Sequence, residues 1–192
     1  MEVTKKSADN QVIVLEKFMF KLGLADVLRL TMFGTLISVA RDITRLPLHL
    51  PGHTSIYWMG ILVLGKGLIP KFGAGIVMGM VSGVLAVLLG EGKEGVLIFF
   101  RYFMPGLILD CLAPLFNYKL ESLAVGAICG AVASLVKLAV NFAVGLLLKL
   151  PLALLALGLG ITSLSHVLFG AVGGIIAALL IKRLKPRLTN WE

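Results

Sequence analysis

Charge is scarce in this sequence: only 15% of its 192 residues are Asp, Glu, Lys or Arg, against about 25% in a water-soluble domain. That shortage comes with 58% hydrophobic residues and a mean hydropathy of +0.99. Together they exclude a water-soluble core and point to an integral membrane protein. Cysteine is nearly absent. Cys111 and Cys129 both lie in apolar runs, read as small buried hydrophobes and carry no redox or metal signal. Proline, at 7 residues, is modest beside 22 glycines, a balance that suits close-packed membrane helices rather than disorder. No phosphate-binding loop is present. Gly65-Lys66-Gly67 lacks the spaced glycines and the hydroxyl that cradle nucleotide phosphates, so no nucleotide site is expected on this chain. No cleavable leader is visible, because MEVTKKSADN is polar and the next apolar run is broken by Glu16, Lys17 and Lys21.

What the chain has is apolar runs. Spans of roughly 20 residues leave room for about six helices with short loops, so the expectation is an all-α, six-transmembrane-helix bundle. Residues 1–27 form an N-terminal segment, 28–184 the membrane domain and 185–192 a tail. Gln11 to Leu28 mixes apolar positions at helical spacing with Glu16, Lys17, Lys21 and Asp26, which predicts an amphipathic helix on the membrane surface. The spans are expected at Leu28–Ile43, Ser55–Ile69, Phe72–Gly90, from Gly95, through the run ending near Leu148, and at Ile161–Ile181. Between the last two, LKLPLALLALGLG reads as a loop, unusual in being apolar. Gly75, Gly79 and Gly83 in the third span, and Gly170, Gly174 and Ala178 in the sixth, recur every four residues and make smooth faces for neighbouring helices.

The net charge of +8 would invite a nucleic-acid reading in a soluble protein. Here the basic residues gather at the chain ends and in short loops. Counting Lys and Arg, Lys66 and Lys71 included, on alternate sides puts both termini in the cytoplasm. No nucleic-acid partner is expected, and membrane lipid is.

Charged and polar residues inside the apolar runs are the functional signal. An ionisable group at the middle of a membrane costs roughly 3 kcal/mol or more, so it needs a partner, a water-filled cavity or a ligand. Arg101 and Asp110 lie in the fourth span, Lys137 and Asn141 in the fifth, His166 in the sixth. At about 1.5 Å per residue, Arg101 sits roughly 9 Å in from the outer end of its span. Lys137 and Asn141, four residues apart, share a helix face in the outer half of theirs. His49 and His53 in the proline-containing loop, with Tyr57 and Trp58 below it, stand above the same level. The expectation is an outward-facing pocket formed by Arg101, Lys137, Asn141, His166, His49, His53, Tyr57 and Trp58. Its two fixed cations, with Asp42 as the nearest acid, would suit a small acidic ligand. Competing readings stand beside it. Arg101 and Lys137 would also be explained by snorkelling to headgroups, Asp110 by helix–helix hydrogen bonding, and His166 by packing. His49 and His53 match no metal-ligand spacing, and no metal or cofactor site is expected.

The run LPGHTSIYWMGILVLGKGLIPKFGAGIVMGMVSGVLAVLLGEGKEG, followed by GLILD from Gly106 to Asp110, resembles the substrate-binding (S) components of energy-coupling factor transporters. These are the vitamin-type ABC importers of prokaryotes. The resemblance extends from Leu28 to Leu184 and rests on architecture: short spans, a long first loop and a glycine-rich third span. It implies a subunit of the prokaryotic plasma membrane that captures a vitamin or vitamin precursor under a lid around His49 to His53. It implies two kinds of partner, a transmembrane coupling subunit and two ATPase subunits. The Ala-x-x-x-Ala surface by which such subunits dock corresponds here to Gly34 and Ser38, with Ala40 nearby. The cobalt and nickel branch carries a metal-binding His directly after the initiator Met. This chain begins Met1-Glu2, which points away from a metal substrate. Two rival classes remain. An intramembrane enzyme would use Asp42 with His49 or His53, at no catalytic spacing we recognise. A transporter acting alone would have to dimerise, and no inverted repeat is apparent.

Overall fold

The structure, a computed structural model, describes residues 22–43, 54–91, 94–149 and 152–189. Six α-helices carry these residues: α1 (Leu24–Ile43), α2 (Ser55–Leu68), α3 (Ala74–Leu88), α4 (Ile98–Leu115), α5 (Leu123–Leu147) and α6 (Leu152–Thr189). A 3-10 turn, Gly95–Leu97, leads into α4. The all-helical expectation holds, and there is no strand among the described residues. Residues 11–21 of the expected surface helix lie outside the described residues, and its last residues, from Leu24, belong to α1; His49 and His53 also lie outside the described residues.

Helix boundaries follow local chemistry. Asp26 begins α1 by accepting the Gly23 N–H at 3.1 Å and pairing with Lys71 at 2.6 Å, the arrangement that suits an acid at a helix N-terminus. Gly73, at φ +95, takes the left-handed turn before α3 that a side chain would resist. The α4–α5 connection turns through Asn117 and Tyr118 at φ 50 and 57. The Tyr118 N–H donates back to the Ala113 carbonyl at 2.8 Å, closing the orphaned carbonyls of α4.

The span expectations need correction at two places. Among the described residues, three helices are long and apolar enough to cross a membrane: Gly95–Leu115, Leu123–Leu147 and Ser163–Pro186. α2 and α3 are apolar but have only 14 and 15 residues, about 21–23 Å at 1.5 Å each, short of a hydrocarbon core of about 30 Å. The expected apolar loop after Lys149 is instead the opening of α6, a helix of 38 residues. The reason is local. Lys149 breaks α5 in a left-handed conformation at φ 55, and the Leu- and Ala-rich run after Pro151 is a strong helix former.

α2 is the hub. It touches each of the other helices, while α1 packs on α3, α3 on α4, α4 on α5 and α5 on α6. Its inward residues, Trp58, Met59, Leu62 and Val63, form the centre of the core. The glycine faces work as expected. A Cβ on Gly75 would overlap the Gly106 carbonyl, and one on Gly130 the Gly170 carbonyl, so α3/α4 and α5/α6 cross backbone to backbone. Large residues such as Leu88, Leu115 and Leu147 remain exposed on the outside, as a lipid-facing surface allows.

Candidate functional site

Because helices consecutive in the chain alternate in direction, the polar residues divide between two ends of the bundle. At one end lie the starts of α2, α4 and the later half of α5. Trp58 of α2 and Tyr102 of α4, each only 3% exposed, bring their rings to 5.8 Å between centroids. Lys137 of α5 places its ammonium 4.2 Å from the centre of the Trp58 ring, a cation–π contact worth about 2 kcal/mol where water is excluded. His166 of α6 is buried, with Nδ1 at 3.1 Å from the Ser55 hydroxyl and 3.4 Å from that of Ser134. α2, α4, α5 and α6 therefore turn polar or aromatic groups toward one region.

Among the described residues, four buried polar atoms at this end have no hydrogen-bond partner: Trp58 Nε1, a donor, and the acceptors Asn141 Oδ1, Glu91 Oε1 and Glu94 Oε2. Leaving such groups unmet in a dry core costs about 1–3 kcal/mol each. A bound molecule or ordered water that accepts from the indole and donates to the amide would remove that cost.

The charges are arranged differently from the expectation. Arg101 is paired at 2.6 Å with Glu94, in the turn preceding α4, so it neither snorkels alone nor stands as a free cation. Tyr102 donates its hydroxyl to the buried Glu91 carboxylate. Arg101 is thus balanced by Glu94, and Glu91 adds a second acid beside Tyr102. The polar turn GEGKEG concealed both, because in the sequence it reads only as a connection.

Of the expected site residues, Trp58, Lys137, Asn141 and His166 share the region, with Arg101 at its edge beside Glu94. Tyr57 is exposed and lines an apolar cleft with Gly60, Leu64 and Ile176, away from Trp58. His49 and His53 lie outside the described residues. Ser55, Glu91, Tyr102 and Ser134 were missed. Ser134 was within reach, since Ser134, Lys137 and Asn141 make one stripe of polar positions at helical spacing. Gly34 and Ser38 are used inside the chain: a Cβ on Gly34 would meet Val81 at 2.9 Å, and the buried Ser38 hydroxyl donates to the Ser82 carbonyl at 3.1 Å. The face that carries them is covered by α3.

At the opposite end, Lys66 and Asp110 form an ion pair with both side chains fully buried. Lys66 also donates to the Lys71 carbonyl at 2.7 Å and lies 5.1 Å from the Tyr118 ring centre. Asp110 accepts the Gly75 and Ile76 N–H groups at 3.0 and 2.7 Å, capping α3. Burial and the nearby Asp110 carboxylate raise the Tyr118 phenol above its usual pKa. Counting Lys66 among the inner-side charges that set topology is therefore corrected, because Lys66 is a buried core residue of α2. Asp110 binds helices together, as the competing reading had it. Among the described residues, no three His, Cys, Asp or Glu side chains gather as a metal site.

These features define an integral membrane helical bundle with polar groups gathered inside both ends. Residues 22–136, more than half of the chain, match the family model described as ABC-type cobalt transport system, permease component. The chain belongs to that family. It is a membrane component of an ABC-type transporter and not an enzyme, and such a component works with ATPase and transport partners. Comparison with curated proteins and with solved structures gives no match.

Proposed function

We propose that this chain is the substrate-capturing S component of an energy-coupling factor importer, binding a small polar molecule among Trp58, Tyr102, Lys137, Asn141 and His166. The observation that carries the reading is two of the orphaned buried atoms, Trp58 Nε1 and Asn141 Oδ1, beside a lysine that stacks on the same indole. A ligand with one acceptor and one donor satisfies both. Arg101 is committed to Glu94, and the buried Glu91 carboxylate beside Tyr102 adds negative charge, so the region disfavours a second acidic group. A neutral or weakly acidic vitamin precursor fits that balance better than a strongly anionic one. Six membrane-embedded helices with both termini cytoplasmic would place this end outward. A coupling subunit and two ATPases would supply the energy, with no cofactor on this chain.

Co-expression with candidate coupling and ATPase subunits, followed by affinity purification and mass spectrometry of bound small molecules, tests the reading. A stable assembly carrying one organic ligand is expected. The family's description names cobalt, so the same preparation should be assayed for metal. Stoichiometric cobalt without an organic ligand would replace the proposed cargo, and purification without any ATPase partner would remove the S-component role.

A further inference from the structure

We propose that the cleft between the α4–α5 turn and the last turns of α6 holds the phosphate headgroup of an anionic membrane lipid. The cleft measures about 510 Å³ and is lined by Lys119, Glu121, Ser122, Lys182, Lys185 and Pro186. Lys182 and Lys185, three residues apart, project from one face of α6, and Lys119 comes from the turn. Among the described residues, Glu121 is the one acid in this lining. It pairs with Lys185 at 2.8 Å, with both side chains about half exposed. An exposed pair of this kind is weakly held, and among the described residues the cleft has three ammonium groups against one carboxylate.

Backbone chemistry adds to the charge. Ser122 immediately precedes the first turn of α5 and makes no side-chain cap. The first N–H groups of that helix are without intrahelical partners by construction, and its positive end favours an anion. Compact ammonium groups and backbone donors suit the oxygens of a phosphate.

Position selects a lipid over a soluble anion. The cleft lies where α5 begins and α6 approaches its end, and both contain segments able to cross a membrane. Headgroups therefore sit at its level. One turn toward the middle, Leu179 lies on the same face of α6 as Lys182, and Leu123 follows Ser122. Both are exposed and offer apolar surface for acyl chains. Basic clusters flanking membrane helices attract anionic lipids in this way. The inference does not depend on the ligand proposed for the other end of the bundle.

The test uses the full chain in detergent, titrated with phosphatidylglycerol or phosphatidylcholine. Retained lipid is read by native mass spectrometry and stability by thermal melting. Phosphatidylglycerol should be retained about tenfold or more over phosphatidylcholine. Lys119→Ala combined with Lys182→Ala should reduce it to the phosphatidylcholine level without changing the melting temperature in phosphatidylcholine. Glu121→Gln should raise retention. Equal retention of the two lipids, or full retention by the double variant, would overturn the proposal. A melting shift reproduced by inorganic phosphate alone would assign the cleft to a free anion instead. Loss of ATPase co-purification in the double variant, with lipid retention intact, would assign it to an acidic protein surface.

Discussion

Lys66 and Asp110, 44 residues apart in the chain, meet in the core with neither side chain exposed, and together they join α2, the start of α3 and α4. Asp110 completes its hydrogen bonding with the N–H groups of Gly75 and Ile76, and Lys66 with the Lys71 carbonyl. A charge in an apolar core is tolerable only when its partners are supplied this fully.

Removing one member of that pair should be costly. Lys66→Met or Asp110→Leu alone is expected to destabilise the protein by about 3–5 kcal/mol, because the surviving charge is left buried and unmet. The double variant should be more stable than the sum of the two losses implies. Thermal melting of the three purified variants checks this, and strictly additive losses would contradict it.

The close crossing of α3 and α4 makes a second prediction. Gly75→Ala puts a methyl group into the Gly106 carbonyl and should cost about 1–3 kcal/mol by forcing the helices apart. Gly90→Ala is the informative control for crowding, because a Cβ there meets nothing within 4 Å, although its φ of +63 is itself strained for alanine. The loss at Gly75 should exceed the loss at Gly90 when melting temperatures are compared.

Trp58→Phe keeps an aromatic ring in the core but deletes the orphaned indole donor together with the fused second ring. Ligand affinity should fall roughly tenfold, the value of about one hydrogen bond of 1.4 kcal/mol, and the melting temperature should fall as well because the smaller ring leaves a core cavity. Calorimetric titration with the co-purified molecule measures it. Unchanged affinity would mean that the indole N–H faces no ligand.

Arg101 and Glu94 should behave as a unit. Arg101→Ala and Glu94→Gln are each expected to weaken capture modestly, and the double variant should be no worse than the more damaging single one. Lys137→Met should do more harm than either, because its ammonium lies on the Trp58 ring while Arg101 is occupied by Glu94. A larger loss from Arg101→Ala than from Lys137→Met would restore Arg101 to the centre of the site.

Membrane residence, helical class and the glycine crossings were all legible in the chain. They depend on composition and on spacings of four residues, which a helix converts directly into faces. The intramembrane polar residues were legible as a problem needing an answer, since their cost in lipid depends on residue type alone. Which partner answers each one was not. Asp110 met Lys66 rather than a ligand, and Arg101 met Glu94 from a turn that reads as a connector. Pairings across 44 or 7 residues depend on helix directions and rotations, and short-range periodicity does not carry those.

The sequence by itself determined that this protein lives in a membrane as a bundle of apolar helices, because too few of its residues favour water for any other outcome. Only the tertiary structure decided that α2 stands at the hub, that the run after Pro151 is helix rather than loop, and which polar side chains neutralise one another. The physical reason is that burial follows from a residue's own chemistry, whereas electrostatic and hydrogen-bond satisfaction belong to pairs, and pairs exist only after the helices have packed.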